Sequence, residues 1–356
     1  MTKIFVSVNE NLRHACRGRT SKVNYLKVRR VSADNRADMS TVPQQYRLLT
    51  RSDFDGLVCA ILLKELGLLG SIQFVHPKDV QDGKVAVTDQ DILTNLPYVP
   101  GCHLCFDHHS SEEIRNHGHS DPHHILAGHA DSAARVLYDY YGGRSAFPRV
   151  SQEMMAEVDK ADAAKFDRDD IVNPQRWVLL SFLMDPRTGL GRFRDFRVSN
   201  YQLMMQLIDS CREHTIDEIL NLPDVRERVD LYRDHSHKFV AQIHRCTQVH
   251  GSVAVLDLRG EEVIYAGNRF MIYAQFPECE LSIHVLWGLK QQNTVFAVGK
   301  SILNRRSEIK IGDLLLEYGG GGHDAAGTCQ IANESAERVL AELVERFRSA
   351  PEPAQI

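Results

Sequence analysis

The chain has 356 residues, 43% of them hydrophobic, and a formal charge of −5 at pH 7. That length holds two domains with real cores, and the acidic balance excludes a large basic surface for long duplex nucleic acid. No run of about 18 apolar residues occurs, which excludes a membrane-spanning helix. The eight cysteines are scattered rather than framed in pairs, which suits a reducing cytoplasm. Cys102 and Cys105 form the one close pair and are expected in the core.

Residues 1–38 carry nine Lys/Arg against three Asp/Glu and lack periodicity. They are read as a basic extension, disordered or preceding a true start at Met39. An apolar strand is expected over Tyr46–Thr50, then a helix over 57–69. Further strands are expected over 72–75, 84–88 and 103–106, with Asp89 directly after the third. Asp91 is expected to cap a helix begun by Ile92 and Leu93. Helices follow over 132–141 and 154–164, the first stopped by Gly142-Gly143. Strands alternating with helices at this spacing imply a parallel sheet.

Residues 201–245 are helical and charged in pattern, and read as a connector. A second α/β unit then has strands over 253–258, 281–286 and 294–299, a helix over 311–318 running into a glycine run, and a closing helix over Ala336–Arg348. The expected organisation is a catalytic domain at 39–200, the connector at 201–245 and a smaller α/β domain at 246–350.

Ligands of parallel sheets bind beyond the carboxyl ends of the strands. Asp53, Asp55, Asp89, Asp107, His108 and His109 all fall at or just after expected strand ends. Asp53-Phe54-Asp55-Gly56 is a turn whose glycine lets both carboxylates enter one cleft. Paired carboxylates suit Mg²⁺ or Mn²⁺, and histidine shifts the preference toward Mn²⁺. Asp159 and Asp162, three apart on a helix, share a face, and one of them can complete the site. Gly319-Gly320-Gly321-Gly322-His323 removes four side chains, so backbone N–H groups can approach a phosphate.

Taken together, these residues resemble the DHH phosphoesterase family, named for Asp107-His108-His109. The resemblance covers roughly 46–330, with Asp53-Phe54-Asp55-Gly56, Asp89, Asp107-His108-His109 and Asp159-Lys160-Ala161-Asp162 as the amino-terminal motifs. The run 319–327 looks like the signature of the DHH-associated domain. The resemblance implies an α/β fold with a parallel-sheet catalytic domain and a two-metal phosphohydrolase using Mn²⁺, with Mg²⁺ as a substitute. By position, Asp53 would bind the first ion and Asp55 the second, with Asp89 bridging. His108 and Asp159 would complete the second site. Asp107 would orient a histidine, and His109 would sit at the substrate phosphate. Gly320, Gly321, Gly322 and His323 would hold the far end of the substrate.

One departure stands out. Family members resembling nucleotide phosphatases carry a histidine four residues before the first aspartate, and Leu49 is there instead. Ser301, Asn304 and Arg305 are weaker phosphate candidates, as are Asn268-Arg269-Phe270 and the basic-aromatic cluster of Arg187, Arg192, Arg194 and Arg197 with Phe193 and Phe196. His76 and the histidine-rich stretch His117, His119, His123, His124 and His129 are reserve ligands.

The expected substrate is a small phosphate-rich nucleotide or a short single-stranded oligonucleotide, and a homodimer is compatible with the chain. The competing readings are an exopolyphosphatase or pyrophosphatase, a nucleotide sensor without activity, and hydrolysis of mischarged tRNA.

Overall fold

A computed structural model describes residues 44–109, 121–193 and 195–349. The basic extension, His117, His119 and Arg194 lie outside the described residues, which pack as one compact unit.

Strand β1 (Tyr46–Thr50) is buried from Leu48 onward. It leads through a short turn into helix α1 (Phe54–Glu65), in which every residue from Phe54 to Leu63 is buried. A helix apolar on all sides must lie in a core, and α1 packs against the sheet and several other helices. Strand β2 (Leu69–Phe74) follows, then helix α2 (Pro77–Gln81), capped by His76 Nδ1. This cap takes His76 out of the set of reserve ligands.

The third strand, β3, is Asp91–Thr94, not 84–88. Asp91 opens that strand instead of capping a helix. It is buried, takes Arg47 Nε and Nη2 at 2.6 and 2.8 Å, and accepts the Thr88 N–H at 2.7 Å. This paired charge pins β3 to β1 and fixes the register that the alternative strand would have broken. Strands β4 (Leu104–Asp107) and β5 (His124–Leu126) complete the sheet.

The first sheet has the order β2-β1-β3-β4-β5, and all its pairs are parallel. The chain passes from β1 to β2 on one side, then returns to the other side of β1 for β3. The carboxyl ends of β1 and β3 therefore form a topological switch point, where crossovers diverge and leave a crevice.

Helices α3 (Ala133–Tyr140) and α4 (Gln152–Asp162) are capped by Ser132 and Ser151 and flank α1. Helices α5 (Arg168–Val172), α6 (Arg176–Met184), α7 (Asn200–Glu213), α8 (Ile216–Ile219) and α9 (Pro223–Cys246) follow, so 201–245 is helical as expected.

The second sheet contains β6 (Thr247–His250), β7 (Val253–Asp257), β8 (Leu281–Trp287), β9 (Thr294–Lys300), β10 (Gly321–His323) and β11 (Ala326–Ile331), in the order β10-β11-β9-β8-β7-β6. Only β7 and β8 pair in parallel. Helix α10 (Met271–Gln275) precedes β8, α11 (Ile311–Leu316) precedes the glycine run, and α12 (Ala336–Arg348) closes the chain.

Alternate residues of β7 serve two cores. Val253 and Val255 pack with α11 and α12, whereas Ala254 and Leu256 join the large core that begins at β1. None of the described helices is long and apolar enough to cross a membrane.

Candidate metal centre

The turn after β1 places two carboxylates at the switch point. Asp53 caps α1, its Oδ1 accepting the Gly56 N–H at 3.0 Å. A Cβ on Gly56 would lie 2.1 Å from the Arg51 carbonyl oxygen, so only glycine lets the first turn of α1 close over the loop. Asp55 is then buried at the N-terminus of α3, where Ala134 N–H and Ala133 N–H donate to it at 2.8 and 3.3 Å.

Strand β4 delivers the Asp-His-His run from the neighbouring position. Asp107 Oδ1 accepts the N–H groups of His108 and His109 and lies 2.6 Å from His109 Nδ1. Asp107 thus fixes the orientation of the His109 ring. His108 Nδ1 lies 3.3 Å from the Ala130 carbonyl. A carbonyl only accepts, so Nδ1 carries a proton and Nε2 is the ring atom left for a metal ion.

His108 Nε2 is buried and faces Asp162 Oδ2 at 2.8 Å. Asp55, His108 and Asp162 each present a ligand atom within 4.8 Å of the other two. Their electrostatics ask for a cation. Burial, then Asp162, holds the Asp55 carboxyl well above the usual range. His108 loses hydration, yet Asp162, Asp55 and Asp107 outweigh that loss and raise it to about 9. One carboxylate pair plus one imidazole, its Nε2 turned toward the carboxylates, is a donor set that fits a divalent ion with mixed oxygen and nitrogen ligands.

Two expectations change. Asp159 does not face the trio: Ser132 Oγ donates to it at 2.7 Å, and Arg135 Nε and Nη2 at 2.9 and 2.6 Å. Asp162, one helical turn on, completes the trio with Asp55 and His108 instead. Asp89 is exposed on the turn before β3, near His103, at the amino end of the sheet. It is at the wrong end of its strand to bridge ions. At the right end stands Asn95, buried, with both side-chain polar atoms unpartnered. Leu49 is wholly buried among Val80, Leu93 and Cys105, so nothing at that position can ligate.

The glycine run forms the edge strand β10 and not an open loop. Gly319, at φ +71°, ends α11 in the left-handed region. A Cβ on Gly322 would meet the Ala326 carbonyl at 2.3 Å, so this glycine serves the hairpin's close packing. His323 at its end stacks on His109, ring centroids 4.7 Å apart at 21°. This contact brings the second sheet to the metal centre. Lost hydration, then His109 and Arg51, push the His323 pKa down. Arg305 is committed to the Ile302 and Ala164 carbonyls, both at 2.9 Å. Ser301 Oγ closes a turn by accepting the Leu303 and Asn304 N–H groups.

A cationic wall lines the same crevice. Arg187 Nε binds Asp185 at 2.7 Å, and Arg269 Nε, 3.7 Å from Asp185, makes no hydrogen bond. Arg187 acts electrostatically on Asp53 and Asp162, and Arg51 pairs with Asp53 at 3.2 Å. Burial and then Arg187 lower Arg269 to about 10, which leaves it charged at neutral pH. Arg187 and Arg269 were legible only as members of weak clusters. Arg51 carried no separate signal.

A solved structure of PggH, a pGpG-specific phosphodiesterase from Vibrio cholerae, aligns with 86% of this chain and 100% of its own, at 56% identity and a TM-score of 0.74. The chain belongs to the DHH phosphoesterase family. As a member of it, the chain is a phosphoester hydrolase.

No protein-family model matches. Among curated proteins, the A-adding tRNA nucleotidyltransferase of Aquifex aeolicus is 27% identical over 184 residues, 49% of this chain and 20% of its own length. The chain thus spans about a fifth of that relative. The Mn²⁺-bound RecJ of Thermus thermophilus covers 88% of this chain and 53% of its own, at 11% identity and a TM-score of 0.44. That likeness is too slight to bear on function.

Proposed function

We propose that this chain is a divalent-metal-dependent phosphodiesterase that cleaves a 5′-phosphorylated dinucleotide, pGpG, into two molecules of GMP. The carrying observation is the 56% identity to PggH across the whole of that structure. The donor set fits the chemistry. Asp55, His108 and Asp162 would hold Mn²⁺ or Mg²⁺. Such an ion supplies Lewis acidity and lowers the pKa of water at the reacting phosphate.

The remaining work falls to the chain itself. Asp107 fixes the ring of His109 through Nδ1 and leaves Nε2 for the substrate phosphate. Arg187 and Arg269, held around Asp185, offer a fork to the terminal 5′-phosphate. His323, neutral and stacked on His109, closes the crevice from the second sheet. In this reading residues 39–200 carry the metal, 201–245 connect, and 246–350 complete the substrate site. The net charge of −5 supports a short substrate over a long duplex. The seven described cysteines are buried or half-buried and outside any disulfide, which supports a reducing, cytoplasmic setting.

The test is hydrolysis by the purified chain with Mn²⁺, over pGpG, a longer oligoribonucleotide, pyrophosphate and polyphosphate. Release of GMP from pGpG, with the others slow, supports the reading. Turnover of polyphosphate or pyrophosphate alone would replace it with a phosphoanhydride hydrolase. Nucleotide binding without turnover would leave a sensor.

A further inference from the structure

We propose that the centre is mononuclear, with the Arg51 guanidinium supplying the second positive charge beside one divalent ion held by Asp55, His108 and Asp162. This rests on the metal reading above and departs from the two-ion arrangement that the family resemblance implies.

The supply of ligands decides the matter. A pair of ions needs a shared anionic ligand and further donors for each. The strand ends of the crevice do not provide them. At β1, Leu49 is in the apolar core, and Thr50 spends its hydroxyl on the Thr94 carbonyl. At β3, the residue in the bridging position is Asn95, a neutral amide with no charge to share between two cations. Asp159 is saturated by Arg135 and Ser132. Asp107 Oδ1 is saturated by two backbone N–H groups and His109. Its Oδ2 is buried and unpartnered, but Asp107 stands outside the trio that converges. Among the described residues, the converging metal-ligand set is Asp55, His108 and Asp162.

Asp53 is a further carboxylate at the crevice, and it already has its cation. Its Oδ1 caps α1, and its Oδ2 lies 3.2 Å from Arg51 Nε. Arg51 also acts electrostatically on Asp162 and on His323. Asp53 is its ion-pair partner among the described residues, through Nε, which leaves the Nη fork for a phosphate oxygen.

Charge balance agrees. One divalent ion with Arg51 neutralises the carboxylates of Asp53, Asp55 and Asp162. A second ion would add two charges beside Arg187 and Arg269, with Asp107, already bonded to His109, as the remaining buried carboxylate there.

The experiment loads the full chain with Mn²⁺, removes free ion, and measures Mn²⁺ per chain by mass spectrometry and its electron paramagnetic resonance. The expected result is one ion per chain with the spectrum of isolated Mn²⁺. Asp162→Asn should lose that ion. Arg51→Met should keep it and lose about 100-fold in kcat, as removal of a transition-state donor does. Two ions per chain with a coupled spectrum would overturn the inference and make Asp107 Oδ2 the bridge; no bound ion would overturn it as well. An Arg51→Met variant with unchanged kcat would overturn the role given to Arg51. Hydrolysis of pGpG by the wild-type chain is followed in parallel. Turnover with two ions sinks the mononuclear centre and leaves the phosphodiesterase. One ion without turnover does the reverse.

Discussion

His108 Nε2 lies 2.8 Å from Asp162 Oδ2, a buried imidazole facing a carboxylate. Both atoms also lie within 4.8 Å of an Asp55 ligand atom. That relationship separates Asp162 from its neighbour on the same helical face. Asp162→Asn should cost at least about 100-fold in turnover and abolish metal uptake. Asp159→Asn should keep the metal but unpair Arg135, lowering stability by about 2 kcal/mol. Thermal unfolding and metal analysis of the two variants check both outcomes, and reversed phenotypes would return the ligand to Asp159.

Asp89→Ala should leave turnover within about twofold of wild type, because an exposed substitution away from the site has little to disturb. Asp89 is exposed at the amino end of β3, across the sheet from the trio. A steady-state assay decides, and a collapse in kcat would place Asp89 at the metal after all.

Arg269→Met should raise KM for pGpG by about 10- to 100-fold, the range for a lost charge-assisted contact. The same change should matter little for the dinucleotide that lacks the 5′-phosphate. Equal losses on both substrates would mean that Arg269 does not read the terminal phosphate.

How much of this was legible in the sequence depends on what sets each feature. The strand Tyr46–Thr50 and the carboxylates after it follow from a short apolar run and a glycine turn, so they were readable. The third strand was not, because 84–88 and 91–94 are both apolar runs, and the choice rests on a long-range pair, Arg47 with Asp91. Helical spacing put Asp159 and Asp162 on one face but could not show that Arg135 would claim Asp159. The glycine run was read as a phosphate loop, whereas its conformation follows from pairing with Ala326–Ile331 and packing under Gly312. Arg51 was missed because an arginine beside an acidic turn is ordinary until the fold places it in a crevice.

The pH dependence of stability has a separate source in His284, on β8. Burial first, then Arg269, lower its pKa to about 4, against an unfolded value of about 6.5. The neutral ring therefore contributes stability that is complete above pH 6.5 and is lost as pH falls through 4. His284→Gln should flatten the change in unfolding midpoint between those pH values relative to wild type. Parallel curves for the two proteins would mean that His284 is not the source.

The central claim is tested most directly by the products of pGpG. The full chain with Mn²⁺ is predicted to convert it to GMP alone, with no guanosine or inorganic phosphate, and Asp55→Asn to abolish the reaction while the protein stays folded. Release of phosphate with GpG left behind would make the protein a terminal phosphatase. Undiminished GMP production by Asp55→Asn would contradict the metal centre at the switch point.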